Sequence, residues 1–126
     1  MKVLVDTQTL LWALTDESRL SERVQRLLPQ ADTWFSVASL WEILIKAHLG
    51  KIALPRPTGP YVISKLQRNG VRILDIKPDH VLRSEFLPDH HRDPFDRMLI
   101  AQSLEENLPM VTADRIFARY PVKLIW

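Results

Sequence analysis

Residues 2–14, KVLVDTQTLLWAL, change from a strand-like to a helix-like pattern, and this change predicts the fold. The run KVLV at 2–5 is short and rich in β-branched residues, which is typical of a strand. Residues 7–14 then follow helical spacing, so the predicted strand passes into a helix at Asp6. Short apolar strands that alternate with helices favour a mostly parallel sheet covered on both faces. We therefore expect an α/β protein.

The same alternation continues through the rest of the chain. Further strands are predicted at 33–36, 71–76, 110–112 and 122–125. Helices are predicted at 21–28, 37–49, 61–69, 78–87, 94–107 and 115–119, with a proline-rich loop at 51–60. This order predicts a three-layer α/β/α sandwich with a mostly parallel sheet of four to five strands. At 126 residues, the length fits a single domain over 1–126.

Composition excludes several classes of protein. Cysteine is absent, so disulfide frameworks and thiolate metal sites are impossible, and a reducing cytoplasm is the expected location. The most apolar stretch, 37–49, contains three ionisable residues and is shorter than the ~20 residues that span a bilayer. The net charge is +2, from 17 basic and 15 acidic side chains, which alone does not indicate a nucleic-acid partner. No membrane partner is expected.

Four acidic residues are placed where strands end or where the following helices begin. Asp6 follows the first strand, Glu42 lies in the second turn of the helix after the second strand, and Asp96 lies in the first turn of its helix. Asp114 comes two residues after the fourth strand. Because the carboxyl ends of parallel strands meet at one edge of the sheet, we expect these side chains to converge there.

Clustered carboxylates repel one another unless a cation neutralises them. Oxygen ligands favour Mg²⁺ or Mn²⁺, and the four histidines do not show the spacing of a zinc-binding pair. A carboxylate-held divalent cation is a means of hydrolysing a phosphodiester, and basic residues around it would suit a polyanionic substrate. The predicted phosphate-binding residues around this site are Lys46, Arg92, Arg97 and Arg115, with His90 and His91 as further candidates.

Each acid also has a structural explanation. Asp93 is the expected N-cap of the helix that Pro94 begins. Asp6 could likewise cap the helix that follows it, and Asp96 could interact favourably with the dipole of its helix. Glu42 and Lys46 have the i, i+4 spacing of an exposed ion pair. Asp114 could be an ordinary turn residue. From the residues alone, an acidic metal site and a set of capping acids both remain open.

Four blocks of the sequence resemble the PIN domain, and more narrowly the VapC-type toxins of bacterial toxin–antitoxin pairs. The blocks are VDTQTLLWAL around Asp6, SLWEILIKAHLGKI around Glu42, HRDPFDRMLIAQSL around Asp96 and VTADRIFARYPV around Asp114. They occur in order, at compatible spacing, and span essentially the whole chain. The four blocks together are therefore stronger evidence for the resemblance than any one of them alone.

The resemblance implies a Mg²⁺-dependent endoribonuclease in which Mn²⁺ can substitute. Its acidic quartet would be Asp6, Glu42, Asp96 and Asp114, acting in catalysis and metal binding, with Thr112 as a supporting residue. It further implies an RNA substrate, a small cognate antitoxin, and a homodimer or higher assembly.

Two other functions are alternatives to a metal-dependent endoribonuclease. One is phosphoryl transfer through an aspartyl nucleophile at Asp6, which is disfavoured because Gln8 occupies the position where such chemistry needs a second acid. The other is a PIN-like RNA-binding or scaffold module without catalysis, whose acids only cap helices.

Overall fold

Five strands form one sheet, and every neighbouring pair of strands is parallel. The computed structural model describes residues 1–126. The strands are β1 (Lys2–Val5), β2 (Asp32–Ser36), β3 (Arg72–Leu74), β4 (Met110–Val111) and β5 (Leu124–Ile125). The sheet confirms the predicted α/β class, with five strands.

The strand order places β1 at the centre of the sheet. The order is β3–β2–β1–β4–β5, so the chain winds outward in one direction from β1 and then crosses to build the other half. β1 therefore lies at the point where the winding reverses, and open parallel sheets bind ligands in the crevice beyond the strand ends at such a point. Asp6 is the residue that follows β1.

Six α-helices and two short 3₁₀ helices connect the strands. The α-helices are α1 (Thr7–Thr15), α2 (Glu22–Leu27), α3 (Val37–His48), α4 (Thr58–Arg68), α5 (Pro78–Glu85) and α6 (Pro94–Glu106), and the 3₁₀ helices are Glu17–Arg19 and Arg115–Arg119. Ser21 and Ser36 cap α2 and α3 through their hydroxyl oxygens, as the sequence predicts. None of these helices has the length and apolar character needed to cross a bilayer.

The two faces of the sheet are buried in separate apolar clusters. Val3 and Val5 point to the face covered by α1, α2, α3 and α4, where they pack with Ile43 and Leu66. Leu4 points to the opposite face and packs with side chains of α6 and of the 3₁₀ helix Arg115–Arg119. Alternate residues of β1 are thus buried on opposite faces, as expected for a central strand between two helical layers.

The structure differs from the sequence predictions mainly at element ends. α4 begins at Thr58, inside the segment predicted as a loop, because Pro60 falls in the first helical turn, where its missing N–H is not needed. β3 and β5 are shorter than predicted because each lies at an edge of the sheet and pairs with one neighbour over only three or two residues.

Candidate active site

The four predicted acids line one pocket at the carboxyl edge of the sheet. Asp6, Glu42, Asp96 and Asp114 surround a cavity of about 370 Å³, and Asp93 and Lys46 complete its charged lining. The pocket therefore holds five carboxyl groups and a single ammonium group. Acidic groups therefore outnumber basic groups in the lining of this site.

Asp6 joins the end of β1 to the start of α1. Its Oδ1 accepts a hydrogen bond from the backbone N–H of Thr9 at 2.8 Å, so Asp6 is the N-cap of α1. Its Oδ2 accepts from Thr112 Oγ1 at 2.6 Å. Asp6 is only 5% exposed, and this burial raises the pKa of its carboxyl above the usual value, although the hydrogen bonds from Thr112 and Thr9 oppose the rise. Asp6 thus both caps a helix and lines the pocket.

Glu42 is buried in the second turn of α3 and is held by two donors. Thr7 Oγ1 donates to Glu42 Oε1 at 2.7 Å, and Lys46 Nζ lies 2.7 Å from Glu42 Oε2. The predicted i, i+4 ion pair is present, but its acidic partner is buried rather than exposed. The hydrogen bond to Glu42 raises the pKa of Lys46, so the ammonium stays charged beside the acids.

Asp93 and Asp96 have different roles, and the role of Asp93 is the N-cap that the sequence predicts. Asp93 Oδ1 accepts from the backbone N–H groups of Phe95 and Asp96, at 2.8 and 3.2 Å, and so caps α6. The Asp96 carboxyl faces the pocket one turn further on. Its pKa is raised to about 8, first by burial and then by repulsion from the neighbouring carboxylates of Asp93, Glu42, Asp6 and Asp114.

Asp114 follows β4 and closes the opposite side of the pocket. Its Oδ1 accepts from the backbone N–H of Ile116 at 2.9 Å, which caps the 3₁₀ helix Arg115–Arg119. Its own N–H donates to Thr112 Oγ1 at 3.0 Å. Thr112 therefore connects Asp114 to Asp6 through one hydroxyl group.

Two residues of this site were not assigned these roles by sequence reasoning. Thr7, which donates to Glu42, carries no local signal because its partner lies 35 residues away. His91 was expected as a candidate for contacting substrate phosphates; it is instead buried, with its Nε2 3.1 Å from Asp96 Oδ2 and 3.2 Å from Asp114 Oδ2. Its position two residues before the N-cap of α6 is the only sequence feature that places it near the first turn of that helix.

The basic residues predicted to bind phosphate do not all face the pocket. Lys46 lines it, and Arg92 and Arg115 are exposed beside residues of the site. Arg97 is 19% exposed at its side chain and donates to the carbonyl oxygens of residues 84, 87, 88 and 91, at 2.9–3.3 Å. The Arg97 guanidinium therefore stabilises the 84–91 segment, which corrects its expected placement among the phosphate-binding groups.

The donor set fits a hard divalent cation. Carboxylate oxygens from four separate chain segments meet at the pocket, and carboxylates are the protein ligands that Mg²⁺ and Mn²⁺ prefer. The raised pKa of Asp96 indicates that one ammonium group does not balance the local negative charge. Asp6, Glu42, Asp96 and Asp114 are the residues able to hold such an ion.

This chain, which has a parallel five-stranded sheet with a carboxyl-lined pocket at the switch point, is similar to known proteins in sequence and in fold. The model of the PIN domain family matches residues 3–123. The chain belongs to the PIN domain family.

Particular relatives are similar over nearly the whole chain. Ribonuclease VapC22 of Mycobacterium tuberculosis is 31% identical over 117 residues, which cover 90% of this chain and 87% of that protein. Among solved structures, VapBC2 of Rickettsia felis bound to a promoter DNA fragment has a TM-score of 0.77 at 15% identity, covering 99% of this chain and 98% of that one. DNA-bound VapBC of Salmonella typhimurium has a TM-score of 0.74 at 18% identity, with 99% and 97% covered. These structural matches share the fold.

Proposed function

We propose that this chain is a Mg²⁺-dependent endoribonuclease, in which Mn²⁺ can substitute, and that it acts in the cytoplasm as the toxin of a type II toxin–antitoxin pair. The observation that carries the proposal is the convergence of four carboxyl groups on one pocket beside the central strand. The similarity to Ribonuclease VapC22 supports RNA as the substrate. Residues 1–126 then form one catalytic domain.

The four acids hold the cation and orient the reacting groups. Asp6 and Asp96 are the main ligands, with Glu42 and Asp114 as further ligands or as groups that position the attacking water. A divalent cation held by these acids would stabilise negative charge on the phosphodiester oxygens and lower the pKa of a bound water, and both effects favour hydrolysis at neutral pH. Thr112 and Thr7 keep the carboxyl groups of Asp6 and Glu42 oriented through direct hydrogen bonds.

Basic residues near the pocket bind the phosphates that flank the scissile bond. We assign this role to Lys46, Arg92 and Arg115, because Arg97 uses its guanidinium within the protein. Outside the acidic pocket the chain has a surplus of basic over acidic residues, which favours a polyanionic substrate. Replacing one of these residues by alanine should weaken RNA binding and reduce its dependence on salt concentration.

The proposed partners are a cognate antitoxin and a second copy of this chain. Several neighbours in structure were solved as toxin–antitoxin complexes, which supports an antitoxin partner. Large apolar side chains remain exposed on or next to α3 and α5, among them Trp41 at 61% and Phe86 at 80%, which supports an assembly that covers them. Sedimentation of the purified protein tests the homodimer, and a monomer throughout the micromolar range would contradict it.

Cleavage of RNA under three conditions tests the proposed activity. We expect cleavage with Mg²⁺, none with EDTA, and at least a 100-fold slower rate for Asp96→Asn, because the chemistry depends on a carboxylate-held cation. Asp79→Asn is a matched control, since Asp79 is also an acid in the first turn of a helix but lies outside the pocket. Equal cleavage in all samples would reject the mechanism.

The noncatalytic RNA-binding or scaffold module is distinguished by metal-linked stability. A cation that binds only the folded state raises the melting temperature by mass action. We expect Mn²⁺ to raise the melting temperature of the wild type but not that of Asp96→Asn. A protein that binds RNA but whose melting temperature is indifferent to Mn²⁺ would support the module.

A further inference from the structure

His91 lies between two carboxyl groups that come from different parts of the chain. Its Nε2 is 3.1 Å from Asp96 Oδ2 and 3.2 Å from Asp114 Oδ2. The three side chains are close enough for ligand atoms of all three to lie within 4.8 Å of one another. By spacing alone, His91 could either bind a cation together with the two acids or donate a hydrogen bond to Asp114 while lying within ion-pair distance of Asp96.

The other ring nitrogen of His91 distinguishes these two roles. The backbone N–H of Asp93 points to His91 Nδ1 at 3.2 Å, and a backbone amide nitrogen can only donate. Nδ1 is therefore the acceptor, and a neutral imidazole then carries its proton on Nε2. The nitrogen that faces Asp96 and Asp114 is thus an N–H donor and has no lone pair to offer a metal ion.

Three further contacts hold His91 in place, one of them through a tyrosine that is itself anchored, although most of its neighbours in the 88–92 segment are exposed. The His91 backbone N–H donates to Tyr120 Oη at 2.8 Å, and Tyr120 Oη donates to the Pro88 carbonyl at 2.7 Å. The Arg97 guanidinium donates to the His91 carbonyl at 3.3 Å. The imidazole packs edge to face on Phe117, with ring centres 5.6 Å apart. Such support is what a precisely placed donor requires.

We propose that His91 is a positioning residue of the carboxylate centre. Its Nε2–H donates to Asp114 Oδ2 and lies 3.1 Å from Asp96 Oδ2. With this placement His91 bridges the two acids and sets the spacing of these cation-binding groups, while the ring itself is not a metal ligand. This inference rests on the proposed function only in taking Asp96 and Asp114 as ligands of a divalent cation.

The bridge has a physical purpose in a pocket rich in carboxylates. Two carboxyl groups that approach without a donor between them repel, and their side chains turn away from each other. The Nε2–H group, which donates to one oxygen of Asp114 and lies beside one oxygen of Asp96, counters this repulsion. Removing a side chain that hydrogen-bonds to the ligands of a metal typically lowers metal affinity or activity by about 10–100-fold.

Two substitutions of His91 separate the bridging donor from the other ring contact. His91→Asn places an oxygen near the Nδ1 position, which can still accept from Asp93 N–H, but it has no group that reaches the two acids. His91→Gln restores an amide N–H close to the Nε2 position. Calorimetric titration with Mn²⁺ should show binding about 10–100-fold weaker for His91→Asn and near wild-type binding for His91→Gln. Equal Mn²⁺ affinity in all three proteins would overturn the proposal.

The tautomer of His91 gives a second test that needs no substitution. ¹⁵N-resolved NMR of the wild-type imidazole should show a protonated Nε2 and an unprotonated Nδ1, both without metal and with saturating Mg²⁺. Loss of the Nε2 proton on addition of Mg²⁺ would make His91 a ligand and overturn the proposal. This test also stands if His91→Asn fails to fold.

The outcomes for the proposed function and for this inference are separate. A wild-type protein that binds Mn²⁺ but does not cleave RNA contradicts the ribonuclease, whereas weaker binding by His91→Asn would still support the bridge. A wild-type protein that cleaves RNA, with His91→Asn binding Mn²⁺ equally well, contradicts the bridge alone.

Discussion

Thr112 Oγ1 donates a 2.6 Å hydrogen bond to Asp6 Oδ2, although the two residues are 106 positions apart. The same hydroxyl accepts from the backbone N–H of Asp114 at 3.0 Å. Parallel pairing of β1 with β4 brings these residues to one edge of the sheet, with Val5 opposite Val111. The central strand pair therefore sets the relative positions of two of the four carboxyl groups.

Replacing Thr112 by valine should impair the site. Valine keeps the shape of threonine but leaves the buried Asp6 carboxyl without its strongest side-chain donor. We expect Thr112→Val to lower the free energy of unfolding by about 1–3 kcal/mol and to slow RNA cleavage about 10-fold or more. Thr112→Ser keeps the hydroxyl and serves as the control. Chemical denaturation and initial cleavage rates measure the two effects, and equal values for Val and Ser would contradict this role.

Replacing Asp96 by asparagine should stabilise the protein in the absence of metal. The folded-state pKa of Asp96, about 8, lies above its ordinary value of 3.8, so ionisation of this group opposes folding. The penalty is absent below pH 3.8, grows as the pH rises, and is complete above pH 8. At pH 7 we expect Asp96→Asn to be more stable by about 4 kcal/mol.

Denaturation in EDTA between pH 4 and 8 measures this effect of Asp96→Asn. The stability difference between the variant and the wild type should widen steadily over this range. Saturating Mn²⁺ should reduce or reverse the difference, because only the wild type retains the full set of ligands. A difference that stays constant with pH would show that Asp96 does not titrate in an uncompensated acidic cluster.

The positions of the four acids could be predicted because they depend on local rules. Asp6 and Asp114 follow strands, and Asp96 and Glu42 lie in the first and second turns of helices. A parallel sheet with helical crossovers brings these positions to the same edge. The different roles of Asp93 and Asp96 are also determined by local sequence. An aspartate followed by proline marks the start of a helix, so Asp93 is identified as the residue whose carboxyl caps α6. The capping and pocket interpretations of Asp6 turned out to be compatible, since each uses a different carboxylate oxygen.

The residues that orient these acids could not be found in the same way. Thr7 contacts Glu42 across two helices, and His91 contacts Asp114 across 23 residues, so neither pair leaves a spacing pattern. Arg97 is predicted to bind phosphate, but its guanidinium donates instead to carbonyl oxygens of the 84–91 segment, which begins in α5. Long-range hydrogen bonds of this kind depend on tertiary packing, which the sequence pattern does not express.

Replacing Arg97 by lysine should affect stability rather than RNA binding. Lysine keeps the charge but cannot reproduce the planar donors that contact several carbonyl oxygens. We expect Arg97→Lys to lower the free energy of unfolding by about 1–3 kcal/mol. Arg92→Lys, at an exposed position, should leave stability within about 0.5 kcal/mol of the wild type. An Arg97→Lys protein of normal stability but weaker RNA binding would restore Arg97 to the phosphate-binding surface.

Replacing Glu106 by glutamine tests an ion pair that is remote from the pocket. Glu106 Oε1 lies 2.8 Å from Nε2 of the buried His80 and 3.5 Å from Lys77 Nζ. The hydrogen bond from His80, and then the charges of Lys77 and His80, lower the pKa of Glu106 below its ordinary 4.5. The pair therefore links α6 to the start of α5.

A lowered pKa stabilises the fold in full while the carboxyl is ionised in both the folded and the unfolded state. The contribution of Glu106 is therefore full above pH 4.5 and disappears as the pH falls through the folded-state pKa. At pH 6–7 we expect Glu106→Gln to be less stable by about 0.5–1 kcal/mol, a modest figure because solvent screens this partly exposed pair. The difference should shrink as the pH falls below 4.5, and acid effects common to both proteins cancel in the comparison. A difference that is independent of pH would mean that lost packing, rather than lost charge, destabilises the variant.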